Sequence, residues 1–113
     1  VEILYGDLNP SVVADHAIEG QLSNGRFGWS LDRAGDVSGT ARDDVLIGAP
    51  FYDGTATDGG RAYIYEGSSS ATGAANLVIL PNDPFMPGTA ADDLFGWSVS
   101  TAGDFDGDAV LDY

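Results

Sequence analysis

Residues 27–45 read FGWSLDRAGDVSGTARDDV, and residues 95–113 read FGWSVSTAGDFDGDAVLDY. Ten of the nineteen positions are identical, and the two stretches begin 68 residues apart. Such a repeat indicates one supersecondary unit that the chain uses twice, and a single copy of such a unit cannot bury its apolar face alone. The repeated stretch therefore decides the fold, and it marks where each unit lies.

The rest of the sequence is typical of a strand-and-turn protein. Short apolar runs lie between clusters of Gly, Asn, Asp and Pro, which end strands and form turns. The predicted strands are 1–5, 17–20, 28–31, 45–48, 61–66, 76–80 and 96–99. They predict three segments: an N-terminal strand and linker at 1–16, a first complete unit at 17–84, and the opening half of a second unit at 85–113.

The motifs of the first unit are, in chain order, Phe27-Gly28, Ala34-Gly35-Asp36, DVLIGAP at 44–50 and GRAYIY at 60–65. Together they resemble the FG-GAP repeat, which is the blade unit of the integrin α-subunit β-propeller. The resemblance implies an all-β fold of antiparallel, four-stranded propeller-type blades. With about one and a half FG-GAP units, the sequence does not close a propeller by itself. The resemblance also implies an extracellular or cell-surface setting, and calcium loops between the first two strands of some blades.

The second copy contains an acidic loop at 104–112, with carboxylates at loop positions 1, 3, 5 and 9. Ca²⁺ takes about six to eight oxygen ligands, which alternate residues of a tight loop can point inward. Gly107 permits the sharp turn between ligands. The alternative is an acidic hairpin turn, because turns favour Asp and Gly. The predicted ligands are the side chains of Asp104, Asp106, Asp108 and Asp112, with the backbone carbonyl of Val110 at position 7.

The equivalent loop of the first copy, 36–44, keeps carboxylates only at positions 1 and 9. Fewer charges weaken a calcium site, because ligand charge tunes affinity. Two interpretations stay open: a weaker ion site, or a loop that hydroxyl hydrogen bonds or an Arg42–Asp43 pair close without an ion. The residues of this weaker candidate site are Asp36, Ser38, Thr40, Arg42 and Asp44.

The net charge of the chain indicates which classes of partner it can bind. Eighteen acidic residues against four arginines and no lysine give a net charge of −14. This charge disfavours nucleic acid and anionic membranes, because both are negative. It suits either uptake of divalent cations or a salt-adapted surface. The chain has no cysteine for a disulfide or thiolate site, and no apolar run reaches the roughly 18 to 20 residues that cross a bilayer, so no membrane insertion is expected.

Trp29 and Trp97 occupy equivalent positions beside glycines. Aromatic side chains bury large apolar areas and dominate the packing of cores and interfaces. We therefore expect both rings to pack in the core between blades rather than to form a sugar-stacking platform.

Three functions fit these features. The first is a calcium-binding extracellular structural protein, the subunit of a head-to-tail filament or surface polymer. Such a homo-polymer would form through strand edges, with residues 1–5 completing the unfinished unit of a neighbour. The alternative is a fragment of an integrin-like adhesin that binds a protein or glycan, and the third is an accessory domain of a secreted hydrolase. No enzyme is predicted, because the sequence shows no set of residues with a catalytic signature.

Overall fold

The computed structural model describes residues 1–3, 16–54, 56–67, 77–79, 90–109 and 112–113. Within these ranges every regular element is a β-strand, so the prediction of an all-β fold is confirmed. The strands are β1 (Glu2–Ile3), β2 (His16–Ala17), β3 (Ser30–Gly35), β4 (Asp44–Ala49), β5 (Arg61–Tyr65) and β6 (Leu77–Ile79). The described residues contain no helix with the length and apolar character needed to span a bilayer.

Strands β3 to β6 form one four-stranded antiparallel sheet in chain order. One row across this sheet joins Leu31 to Ile47 and Ile47 to Tyr63. A four-stranded sheet of this kind is the architecture of a propeller blade. The predicted blade is therefore confirmed, and the described residues form a single complete one.

One face of the blade packs against the N-terminal part of the chain. Partly buried Val1, Ile3 and Phe27 lie against its core. Because successive side chains of a strand point to opposite faces, this face takes alternate residues of β4 and β5. The buried side chains of its core are Ile18, Ile47, Ala49, Tyr63 and Tyr65.

The opposite face of the blade packs against the second copy of the repeat. Its core consists of buried Ala34, Leu46 and Ile64, and Val37 and Val99 lie against them. Since both faces are covered, β4 and β5 are apolar and buried along nearly their whole length, rather than alternating between apolar and polar residues. The second copy thus contributes to the first copy's core, as expected for stacked units.

Close backbone contacts join the two copies. The amide of Leu94 donates to the carbonyl of Asp58 over 3.0 Å, and the Ser30 hydroxyl donates to the Gly96 carbonyl over 2.9 Å. A Cβ atom at Gly48 would collide with that same Gly96 carbonyl. The glycine of strand β4 is therefore required by the approach of the neighbouring unit.

Two predicted strands differ from the structure at their glycines. The first begins at Ser30 rather than at Gly28, whose φ of +87° is not extended backbone. The second, predicted at 96–99, has no strand in the described residues. Isolated bridges form on either side of it, between Gly60 and Phe95 and between Gly103 and Asp112. A strand needs a ladder partner, and no strand of the described residues pairs with 96–99.

The N-terminal strand pairs within its own chain. Glu2 lies opposite Ala17 and Ile3 opposite His16, while Val1 and Ile18 exchange two backbone hydrogen bonds of 2.8 and 2.7 Å. Residues 1–3 are therefore paired within their own chain, and the structure gives no support to the predicted head-to-tail filament. Leu4 and Tyr5 lie outside the described residues, as does the predicted boundary between 84 and 85. The division into three segments stays a prediction.

Candidate metal centre and its surroundings

The sequence repeat is also a repeat of backbone conformation. Positive φ angles occur at pairs of positions that are 68 residues apart in the sequence. The paired positions are Arg26 and Leu94, Gly28 and Gly96, Gly35 and Gly103, Gly39 and Gly107, and Ala41 and Ala109. Non-glycine residues with positive φ are uncommon, so their recurrence shows that both acidic loops follow one backbone path.

The second acidic loop brings three carboxylates together. Asp104, Asp106 and Asp108 can each place one oxygen so that the three atoms lie within 4.8 Å of one another. All three side chains are exposed. Three negative charges at this spacing repel one another unless a cation lies between them. The arrangement therefore offers hard oxygen ligands for a divalent cation.

Hydrogen bonds from backbone amides hold two of these carboxylates in place. Asp104 accepts the amides of Gly107 over 2.8 Å and Ala109 over 3.1 Å. Asp106 accepts the amide of Asp108 over 3.1 Å. A carboxylate has about four lone-pair positions, so these bonds orient the groups and leave capacity for an ion.

Asp112, the remaining predicted side-chain ligand, is not part of this three-residue cluster. It anchors the end of the loop: its carboxylate accepts the Phe105 amide over 2.8 Å, and its backbone pairs with Gly103. Val110, the predicted carbonyl ligand, lies outside the described residues.

The first acidic loop follows the same path with hydroxyls in place of two carboxylates. Ser38 Oγ and Thr40 Oγ1 lie 3.2 Å apart and share a hydrogen bond. Asp36 accepts the amides of Thr40 and Ala41, each over 2.8 Å. These contacts join the positions that correspond to the carboxylate cluster of the second loop.

Asp44 is fully buried and closes the first loop from its far end. Its carboxylate accepts the amides of Val37 and Ser38, each over 3.0 Å. It also accepts the Gly67 amide over 2.8 Å and lies 3.4 Å from the Ser38 hydroxyl. The sequence predicted Asp44 as a candidate ion ligand but not its contact with Gly67, which follows strand β5.

The proposed Arg42–Asp43 pair is replaced by a different one. Arg33 Nη2 donates to Asp43 Oδ1 over 2.7 Å, and both side chains are exposed. This hydrogen bond raises the pKa of the Arg33 guanidinium. Arg42 lies exposed at loop position 7, where the predicted contribution to an ion was its backbone carbonyl.

An aromatic surface lies at the junction of the two copies. The ring centres of Trp29 and Trp97 are 4.9 Å apart. The ring centre of Phe51 lies 6.1 Å from that of Trp29 and 6.0 Å from that of Trp97. The guanidinium of Arg26 stacks 4.3 Å from the centre of the Phe51 ring. The two tryptophans contact each other across the two units, but the prediction that they lie in the core is wrong, because 45% and 48% of their surfaces are exposed. Sequence reasoning missed Phe51 and Arg26.

Asp32 links strand β3 to the second copy. Its carboxylate accepts the Thr101 amide over 3.1 Å and the Arg33 amide over 2.8 Å. These two backbone hydrogen bonds lower the pKa of Asp32 below its usual value, and the bond from Thr101 has the larger effect. The charged form of this side chain therefore favours the junction between the copies.

Comparison with known proteins identifies the family. No family model matches the chain, but curated relatives do. Integrin alpha-PS2 of Drosophila melanogaster is 35% identical over 98 residues, which cover 87% of this chain and 7% of the relative. Integrin alpha-E of Mus musculus is 36% identical over 104 residues, which cover 86% of this chain and 8% of the relative. Integrin alpha-M of Mus musculus is 37% identical over 89 residues, which cover 78% of this chain and 7% of the relative.

The chain is therefore a stretch of FG-GAP repeats, homologous to part of the integrin alpha subunits. It spans less than a tenth of the length of these relatives. The predicted family is confirmed by sequence similarity and by a fold that provides the expected four-stranded blade.

Proposed function

We propose that this chain is part of an integrin-like β-propeller that acts in adhesion at the cell surface, by binding a protein ligand. The observation that carries the proposal is the match to integrin alpha subunits across most of the chain. It favours the adhesin hypothesis over the filament, since residues 1–3 pair within their own chain. An extracellular location is part of the same proposal, as is the absence of enzymatic activity.

The second acidic loop binds Ca²⁺ in this proposal, through Asp104, Asp106, Asp108 and Asp112, with the carbonyl of Val110. The three clustered carboxylates within 4.8 Å support it, because Ca²⁺ prefers carboxylate oxygens in a flexible shell. In the first loop the hydroxyl pair and the hydrogen bonds of Asp36 and Asp44 already hold the backbone. We therefore assign the ion to the second loop and regard the first as closed without one.

The aromatic surface is the part of the described structure that best fits a protein ligand. Clustered aromatic rings that stay half exposed mark interaction sites, and Trp and Arg are enriched among residues that dominate binding energy. Here Trp29, Trp97 and Phe51 provide the rings and Arg26 provides the guanidinium.

A chimera tests this function. The present chain replaces the matching segment of Integrin alpha-PS2 at the cell surface, and flow cytometry measures its display. We expect displayed chimeras to support cation-dependent cell adhesion, and Trp29→Ala with Trp97→Ala to reduce it at least about tenfold, as for the loss of a dominant contact. Leu31→Ala is the matched control, because Leu31 is also exposed and apolar. A displayed chimera without adhesion would contradict the proposal.

A further inference from the structure

Two buried polar atoms on strand β5 lack hydrogen-bond partners. Among the buried side-chain nitrogen and oxygen atoms of the described residues, Arg61 Nε and Tyr63 Oη are the unpaired ones. The two residues are separated by one position on a single strand, so their side chains leave the sheet on the same face. Their unpaired atoms therefore belong to one neighbourhood of the core.

Packing holds both side chains in place. The Tyr63 ring is 1% exposed and meets Phe27 edge-on, with ring centres 5.2 Å apart. The Arg61 guanidinium stacks 3.8 Å from the centre of the Tyr52 ring, and its Nη1 donates to Gln21 Oε1 over 3.1 Å. These contacts hold the guanidinium through its plane and Nη1, and they leave Nε without a partner.

Burial raises the pKa of Tyr63, and the nearby Arg61 guanidinium partly opposes this effect. The two groups are thus close enough to interact, but their unpaired atoms are not aligned for a hydrogen bond with each other. An unpaired buried donor loses its bonds to water without replacing them, which is costly to folding. In addition, no carboxylate of the described residues forms an ion pair with Arg61.

We propose that Arg61 Nε and Tyr63 Oη together bind a hydrogen-bond-accepting oxygen inside the blade. An Nε–H group can only donate, and a phenol hydroxyl can donate as well, so an acceptor satisfies both. The oxygen belongs either to a buried water, which typically takes about three hydrogen bonds from otherwise unpaired groups, or to a small oxyanion attracted by the guanidinium.

Thermal unfolding of the full chain tests the site. Tyr63→Phe keeps the packing and removes only the hydroxyl, so we expect it to lower the Tm by roughly 4 °C, the effect of losing one hydrogen bond in a small domain. Tyr65→Phe is the matched control, because Tyr65 is a buried neighbour on the same strand with no unpaired buried atom. An unchanged or higher Tm for Tyr63→Phe would overturn the proposal, since deleting a truly unpaired hydroxyl relieves a cost.

Two further measurements identify the oxygen. A saturable rise in Tm with inorganic phosphate in calcium-free buffer, present in the wild type and absent in Tyr63→Phe, indicates an oxyanion. No such rise, together with the Tyr63→Phe effect, indicates water. A high-resolution crystal structure should show density within hydrogen-bond distance of both atoms. A direct Arg61–Tyr63 hydrogen bond without that density would overturn the proposal.

Discussion

The two acidic loops follow the same backbone path and differ in what holds them closed. In the first loop a hydroxyl pair links Ser38 and Thr40, and buried Asp44 ties the loop to Gly67. In the second loop the positions of Ser38 and Thr40 carry Asp106 and Asp108, which add two negative charges to an exposed cluster. Both loops contain backbone hydrogen bonds to their carboxylates, and the second loop adds exposed negative charge that a cation can neutralise.

This difference teaches that the geometry of a repeat and its chemistry are specified by different residues. Glycines and alanines with positive φ specify the loop path in both copies. The alternate positions 3 and 5 of each loop then decide whether the path encloses hydroxyls or carboxylates. The same blade unit can therefore be braced by hydrogen bonds or, as we propose, by Ca²⁺.

The largest effect on the stability of the fold is expected from Asp44→Ala. This change leaves three backbone amides without their acceptor at a fully buried position. At about 1 to 3 kcal/mol for each unpaired group, the free energy of unfolding should fall by at least about 3 kcal/mol. Urea denaturation measures the loss.

The matched control for that experiment is Asp112→Ala in the presence of a chelator. Asp112 occupies the equivalent position but is only partly buried, and its carboxylate accepts the amide of Phe105 alone among those described. We expect a clearly smaller loss than for Asp44→Ala. Equal losses would mean that burial at Asp44 does not distinguish the loops.

A smaller effect is expected from calcium itself. An ion that binds the folded loop and not the unfolded chain raises the free energy of unfolding by about 2.7 kcal/mol at a hundredfold excess over the Kd. Calorimetry with Ca²⁺ and with a chelator measures this stabilisation. In the variant Asp106→Asn with Asp108→Asn, the two traces should coincide. A chelator-insensitive wild type would exclude a stabilising role for the ion.

The smallest effect concerns the junction between the copies and its pH dependence. Since the pKa of Asp32 is lowered in the folded chain, its contribution is fully present above the unfolded value of about 3.9. It is lost as the pH falls through the lower folded value. Between about pH 5 and pH 3 the wild type should therefore lose more stability than Asp32→Asn. Parallel pH profiles of the two proteins in thermal unfolding would exclude this role.

The sequence predicted those features of the fold and the site that depend on a local pattern of residues. The spacing of the FG-GAP motifs predicted the antiparallel blade, and alternate acidic positions predicted the cluster of Asp104, Asp106 and Asp108. Contacts between distant residues were not predictable, because nothing local encodes them. Gly67 meets Asp44 across 23 positions and Thr101 meets Asp32 across 69.

Two misinterpretations have the same physical origin. A strand was expected at 96–99 because its residues repeat those of the first unit, yet a strand depends on the partner that it pairs with. Residues 1–5 were expected to complete the unit of a neighbour, yet Glu2 and Ile3 pair with Ala17 and His16 of their own chain. In both cases the pairing partner, rather than the strand's own residues, decided the outcome.

Exchanging the two loop chemistries tests the central claim most directly. Isothermal titration with Ca²⁺ compares the wild type, the variant Asp106→Ser with Asp108→Thr, and the reciprocal variant Ser38→Asp with Thr40→Asp. Because the backbone path is shared and the charges differ, we predict a single bound Ca²⁺ in the wild type, none in the first variant and a second in the reciprocal one. Undiminished calcium uptake by Asp106→Ser with Asp108→Thr would contradict the assignment of the ion to the second loop.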